Sequence, residues 1–146
     1  MHKTIKNLED INRELKLEIK ENSLPIIIAV SKTFPVKDIM PLIEYGHIHF
    51  GENKIQEAMN KWTDLKLNFP NIKLHLIGKL QTNKVKFAVK LFDYIHSVDN
   101  EKLAKKISEE QKKQNKKIKI FIQVNIGNEK QKSGILKEDL NNFYYF

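Results

Sequence analysis

Short apolar runs alternate with amphipathic stretches along this chain, and the alternation constrains the fold more than any other feature. In the amphipathic stretches, apolar residues recur at steps of three or four, which is typical of helices with one buried face. The runs between them are short and rich in β-branched residues, as in buried strands, and they cover residues 25–30, 48–50, 74–77, 94–98 and 118–126. Strand–helix alternation at this spacing predicts βαβ units, and therefore a parallel sheet flanked by helices.

Two architectures are built from such units, a doubly wound open sheet and a (β/α) barrel. The loop after the first predicted strand reads Ser31-Lys32-Thr33-Phe34-Pro35, without the glycine-rich phosphate turn of a dinucleotide-binding open sheet. The sequence therefore favours an α/β fold of the parallel (β/α) TIM-type barrel class. We expect one partial barrel domain over 1–146, with an N-terminal helix in 1–23 and the first five βα units, of the eight in a full barrel, in 24–146.

The charge balance is not by itself evidence for a nucleic-acid partner. The chain has 26 lysine and arginine residues against 18 acidic ones, a net charge of +8. The densest basic stretch, residues 102–119, keeps its apolar residues on one helical face and contains no aromatic residue that could stack on a base. We interpret it as a solvated helix face. A nucleic-acid-binding module is the alternative, and its signature would be binding that weakens steeply with salt.

Other sequence features exclude several classes of protein. The chain has no cysteine, which excludes disulfides, cysteine zinc sites and thiol catalysis and fits a reducing cytoplasm. Its longest wholly apolar run, 26–30, is far shorter than the ~20 residues of a membrane helix, and no secretory signal is visible. His47 and His49 alternate with apolar residues and lack metal-ligand spacing, so we interpret them as ordinary strand histidines. We expect a cytoplasmic protein without a metal, membrane or nucleic-acid partner.

Polar side chains collect where the predicted strands end, which is where parallel α/β folds place their sites. Lys32 directly follows an apolar strand and is expected to point into the mouth of the barrel, the opening at the carboxyl ends of its strands. Withdrawal from water there would favour the reactive neutral amine. The alternative is a lysine whose head group reaches water. Asn53 either caps the helix that follows it or contacts a ligand. Glu52 and Glu57 have no nucleophile beside them, which disfavours a general acid–base pair.

Six motifs stand at these strand ends in a fixed order. They read Ala29-Val30-Ser31-Lys32-Thr33, Phe50-Gly51-Glu52-Asn53, His75-Leu76-Ile77-Gly78-Lys79-Leu80-Gln81-Thr82-Asn83-Lys84, His96-Ser97-Val98-Asp99, Gln123-Val124-Asn125-Ile126 and Lys132-Ser133-Gly134. In order and spacing, over nearly all of residues 25–135, the chain resembles the pyridoxal phosphate homeostasis protein family. The third motif is characteristic of that family, whose fold is similar to the barrel of alanine racemase.

The resemblance implies a cofactor and a role. It implies pyridoxal 5′-phosphate (PLP) bound as an aldimine on Lys32, in intracellular PLP homeostasis without substrate turnover. By the same matching, Asn53 would lie at the cofactor ring, His75 and Gly78 would belong to the signature loop, and Asn125 would end a strand lining the same mouth. His75 has a second interpretation, as a hydrogen-bonded core histidine. The implied partners are PLP and PLP-dependent enzymes, and the family is monomeric.

Two alternatives to this role stay open. A racemase-like enzyme would use the cofactor as an electron sink, but it needs a second acid–base group on the opposite face of the ring, and no candidate is visible. The other alternative is an inactive, truncated fragment. Family members are longer, and their last third resembles a phosphate site that this chain lacks. We therefore expect open strand edges that favour association. A truncated reading frame, a split gene or completion by another chain would each explain the missing part.

Overall fold

A computed structural model describes residues 1–146 of the protein. The chain begins with helix α1 (Lys3–Glu18), and a 3-10 turn at Glu21–Ser23 leads into strand β1 (Ala29–Val30). The following elements are α2 (Val36–Glu44), β2 (His49–Glu52), α3 (Ile55–Asn68), β3 (Lys73–Leu76), α4 (Val85–Leu91), β4 (Tyr94–Val98), α5 (Glu101–Lys113), β5 (Lys119–Ile122), β6 (Val124–Asn125), β7 (Ile135–Leu136) and α6 (Leu140–Tyr144). None of the helices combines the length and the apolar character needed to cross a bilayer.

Strands β1 to β5 form one parallel sheet in the order in which they occur along the chain. This order confirms the α/β class and the successive strand–helix units of an incomplete (β/α) barrel, with β1 and β5 at the two edges. The predicted fifth strand is divided in two. The backbone N–H of Gln123 still bonds to Val98 O of β4 (2.9 Å), but its carbonyl accepts from the N–H of Ile135 (2.9 Å). The chain thus changes partners at this residue, and β6 pairs with β7 in a separate sheet.

The hydrophobic core lies on the helix side of the five-stranded sheet. Successive residues of a strand face opposite sides of the sheet. Phe50, Leu74 and Leu76 face the helices and are fully buried. The largest core side chain is Trp62 of α3, which is also fully buried. Helix α5 places Leu103 and Ile107 in the core and exposes most of its lysines, as expected for a solvated basic face.

Three histidines on neighbouring strands form a hydrogen-bonded chain across the concave face of the sheet. His49 Nδ1 lies 2.9 Å from His75 Nε2, and His75 Nδ1 lies 2.9 Å from His96 Nε2. His75 is buried between the other two and stacks on the ring of Tyr94, with 4.2 Å between ring centroids. His49 lies on strand β2, and the register of β2 and β3 brings it to His75, a contact that the spacing along the chain does not predict.

Burial lowers the pKa of all three histidines. For His75 the pKa falls from 6.5 to about 4, and the neighbouring charges of His96 and His49 add to the effect of burial while Asp93 opposes it. Lys73 also lowers the pKa of His49. A histidine whose folded pKa lies below its unfolded value takes up a proton first in the unfolded chain. Its contribution to stability is therefore complete above pH 6.5 and is lost as the pH falls toward 4.

We predict that acid destabilises the protein through this histidine chain. Between about pH 7.5 and about pH 5 the free energy of unfolding should fall by about 2 kcal/mol from His75 alone, and urea denaturation at the two pH values measures the fall. His75→Phe keeps a flat ring on Tyr94 and should reduce the dependence on pH. The control is His2→Asn, which retains a side chain able to cap α1. An undiminished pH dependence in His75→Phe would contradict this assignment.

Candidate functional site

Lys32 lies in the turn after β1, at the carboxyl edge of the sheet. The N–H of Ser31 donates to Gly51 O (2.9 Å), so the pairing with β2 continues one residue beyond the strand. Ser31 is buried, and Lys32 follows it in a turn that the N–H of Phe34 closes by donating to Ser31 O (3.2 Å). The Lys32 side chain is exposed and forms no ion pair. The expected withdrawal of this amine from water is therefore not found.

Asn53 directly follows β2, at the same edge of the sheet as Lys32. Strand β1 pairs with β2 as far as Val30 and Gly51, and the N–H of Ser31 extends the pairing by one residue before the chain turns. Helix α3 begins at Ile55 with Lys54 as its N-cap, so the interpretation of Asn53 as a helix cap is wrong. Asn53 Oδ1 is buried and has no hydrogen-bond partner. Buried polar atoms in proteins are almost always satisfied, so this oxygen is free to accept a further hydrogen bond.

Gly78 allows the loop after β3 to pack directly on the backbone of Asn53. A Cβ atom on Gly78 would lie 2.2 Å from the carbonyl oxygen of Asn53 and 2.8 Å from its carbonyl carbon. The two segments are held at this spacing by the N–H of Ile77, which donates to Glu52 O (2.9 Å). The signature loop therefore contributes close-packed backbone beside Asn53.

Asn125 is buried, and its side chain organises the loop that follows it. Its Nδ2 donates to Glu129 O (2.9 Å), and its Oδ1 accepts from the N–H of Glu129 (3.3 Å). The far end of this loop is tied to the end of β4, because Asp99 Oδ2 accepts from the N–H of Gly134 (3.1 Å). These bonds fix the conformation of the loop.

A cavity of about 390 Å³ separates this loop from the end of β3. Ile77 and Asn125 line it together with two lysines, Lys79 and Lys132. Lys79 is exposed, whereas Lys132 Nζ is paired with Glu129 Oε1 at 2.6 Å. The carboxyl edge of the sheet therefore carries positive charge beside the mouth.

A buried carboxylate lies beneath the Lys32 turn. Glu52 is fully buried, and its Oε1 accepts from Ser31 Oγ (2.8 Å), Lys61 Nζ (2.8 Å) and Trp62 Nε1 (2.9 Å). Three donors on Oε1 offset part of the cost of burying this carboxylate, whose Oε2 is buried without a partner. Glu52 is thus directed toward α3, not toward the concave face. Lys61 was not among the predicted site residues. Its position next to the core residue Trp62 was the signal in the sequence that could have indicated its burial.

The structure brings two of the predicted site residues, Asn53 and Gly78, into contact. Lys32 lies at the same edge of the sheet, in the turn after β1. His75 pairs with Gly51, one layer deeper in the sheet, and its ring is bonded to other histidines. Asn125 lies in the wall of the neighbouring cavity. A cofactor role for these five residues stays a prediction.

Residues 6–145 match the family described as alanine racemase, N-terminal domain. The chain belongs to this family. Among its relatives, the pyridoxal phosphate homeostasis protein of Vibrio cholerae is 38% identical over 116 residues, which are 78% of this chain and 49% of that protein. The protein of the same name from Buchnera aphidicola is 36% identical over 133 residues, 88% of this chain and 58% of the relative. The chain thus spans about half the length of the curated relatives it matches.

Solved structures of the family share this fold. PipY from Synechococcus elongatus, in a structure without PLP, superposes with a TM-score of 0.82 at 34% identity, covering 94% of this chain and 60% of PipY. PipY with PLP bound superposes with a TM-score of 0.74, covering 92% of this chain and 61% of PipY. An alanine racemase from Clostridium difficile, at 16% identity and a TM-score of 0.69, shares the fold alone.

We predict that Gly78→Ala displaces Asn53 and destabilises the protein. The added Cβ has only backbone atoms in its way, so the cost should be about 1–3 kcal/mol or more in urea denaturation. The matched control is Gly127→Ala, whose Cβ would meet only the flexible side chain of Glu129, at 3.3 Å. Equal stabilities for the two variants would show that the contact between Gly78 and Asn53 is not constrained.

Proposed function

We propose that this chain binds PLP and that Lys32 forms an aldimine with it. The lysine amine adds to the aldehyde carbon of the cofactor and a water molecule leaves, so the step needs no oxidant or reductant. One observation carries the proposal: the exposed Lys32 lies at the carboxyl edge of the parallel sheet, where the neighbouring strand leads into Asn53, whose buried Oδ1 lacks a partner. PipY, which is 34% identical, has been solved with PLP bound, and this supports the assignment of the cofactor.

Each residue of the mouth has a part in this proposal. Asn53 Oδ1 accepts a hydrogen bond from the bound group, and the backbone contact at Gly78 fixes the position of that acceptor. Lys79 and Lys132 supply positive charge for a phosphate, with which charged donors form strong bonds. Asn125 holds the loop that carries Lys132. His75 supports β3 from the layer below.

We further propose that the chain holds and delivers PLP without turning over a substrate. Its recipients would be PLP-dependent enzymes of the cytoplasm. The names of the relatives support a homeostasis role. Racemization needs acid–base groups on both faces of the cofactor, and the buried carboxylate of Glu52 is engaged with α3 instead. Sustained racemization of an amino acid by the purified protein would contradict this proposal and favour the racemase-like alternative.

The test is to map the lysines that react with PLP. We expect that incubation at low PLP, followed by borohydride reduction and peptide mapping, concentrates the label on Lys32. Lys32→Ala should remove this label, whereas Lys37→Ala, on the exposed face of α2, should leave it unchanged. Label spread evenly over surface lysines would indicate an inactive fragment. A single labelled site that persists in Lys32→Ala would show that another lysine reacts.

A further inference from the structure

The peptides on both sides of Lys32 are anchored to helix α3. On one side, the carbonyl of Ser31 accepts from Lys61 Nζ (2.8 Å). On the other side, the N–H of Thr33 donates to Glu57 Oε1 (2.6 Å). Lys61 and Glu57 stand one turn apart on α3, so a single helix holds the residue before Lys32 and the residue after it. The Lys32 side chain itself takes no part in these bonds.

The two anchors are joined to each other and to the buried carboxylate. Lys61 Nζ lies 3.3 Å from Glu57 Oε1 and 2.8 Å from Glu52 Oε1. The Lys61 side chain is only 8% exposed and that of Glu52 is fully buried. Water competes little with the bond between Lys61 and Glu52, which is therefore stronger than a surface pair, whereas the Glu57 side chain is 29% exposed.

Thr33 shows why the turn needs this support. Its φ is +66°, in the left-handed region that a β-branched residue avoids, and the conformation costs about 1–2 kcal/mol. The bond from the Thr33 N–H to a carboxylate offsets that cost, as does the turn bond from the Phe34 N–H to Ser31 O (3.2 Å). Without Glu57, the left-handed turn would lose the bond from the Thr33 N–H, and the backbone at Lys32 would no longer be held in place.

We propose that Glu57 and Lys61 are positioning residues that hold the Lys32 turn in the conformation that presents its amine to the aldehyde of PLP. This inference rests on the proposed function. A lysine in an unbraced loop must give up both backbone and side-chain freedom to react at a defined site. The braced turn has already given up the backbone part of that freedom, and pre-positioning of reacting groups accelerates the reaction.

The experiment compares two lysines within one molecule. The measured quantity is the initial rate of borohydride-trapped PLP labelling at Lys32 divided by the rate at Lys37. Glu57→Ala should lower this ratio about tenfold, because the charge-assisted bond to the Thr33 N–H is lost. Glu57→Gln keeps an acceptor for the Thr33 N–H and should lower the ratio only about threefold. The control is Asp64→Ala, an exposed position of the same helix, which should not change the ratio.

Two further measurements separate positioning from a general loss of structure. Thr33→Gly added to Glu57→Ala should restore part of the ratio, because glycine adopts positive φ without strain. Amide hydrogen exchange of Thr33, measured without PLP, should be faster in Glu57→Ala than in the parent protein. Urea denaturation of each variant establishes that the labelled protein is folded.

The outcomes distinguish this inference from the proposed function. If the parent protein prefers Lys32 and Glu57→Ala keeps the full preference, the positioning role is overturned and PLP binding at Lys32 stands. If the parent protein shows no preference for Lys32, the proposed function fails and the positioning role fails with it. If Glu57→Ala lowers the ratio and Thr33→Gly partly restores it, the result supports both the positioning role and PLP binding at Lys32.

Discussion

The parallel register of the five strands is the constraint on which the rest of this structure depends. It aligns Gly51 of β2 with His75 of β3 and His75 with Tyr94 of β4, so alternate residues divide into an apolar face under the helices and a polar concave face. Slipping β3 by one residue would exchange its two faces, which would bring His75 into the core and turn Leu74 to the concave side. The histidine chain and the mouth both exist because this alignment holds.

The mouth and the hydrophobic core are not independent parts of the molecule. Glu52 is the last residue of β2, its backbone bonds to the loop after β3, and its side chain binds donors from the Lys32 turn and from Trp62 in the core. The concave edge is therefore supported from the opposite side of the sheet. Changes to the packing of α3 are transmitted to the turn that carries Lys32, so stability and the geometry of the mouth are coupled here.

The sequence predicts the parts of the fold and site that follow from local periodicity. Strand and helix patterns differ in period, so the order of elements and the α/β class follow from them, and Lys32 and Asn53 can be placed because parallel strands end at one edge. Contacts that depend on register cannot be found this way. The partnership of His49 with His75 requires the alignment of β2 with β3. Lys61 resembles any surface lysine with a glutamate one turn away until the tilt of α3 buries it.

The chain of imidazoles has an internal polarity. A neutral imidazole carries one N–H and one bare nitrogen, so His75, which bonds to a ring on each side, must donate in one bond and accept in the other. Both bonds join an Nδ1 to an Nε2, and the neutral chain therefore has only two arrangements. In one, His49, His75 and His96 all carry the proton on Nδ1, and in the other all carry it on Nε2. No ring can change its tautomer alone without breaking a hydrogen bond, so the three histidines, on three neighbouring strands, must change tautomer together.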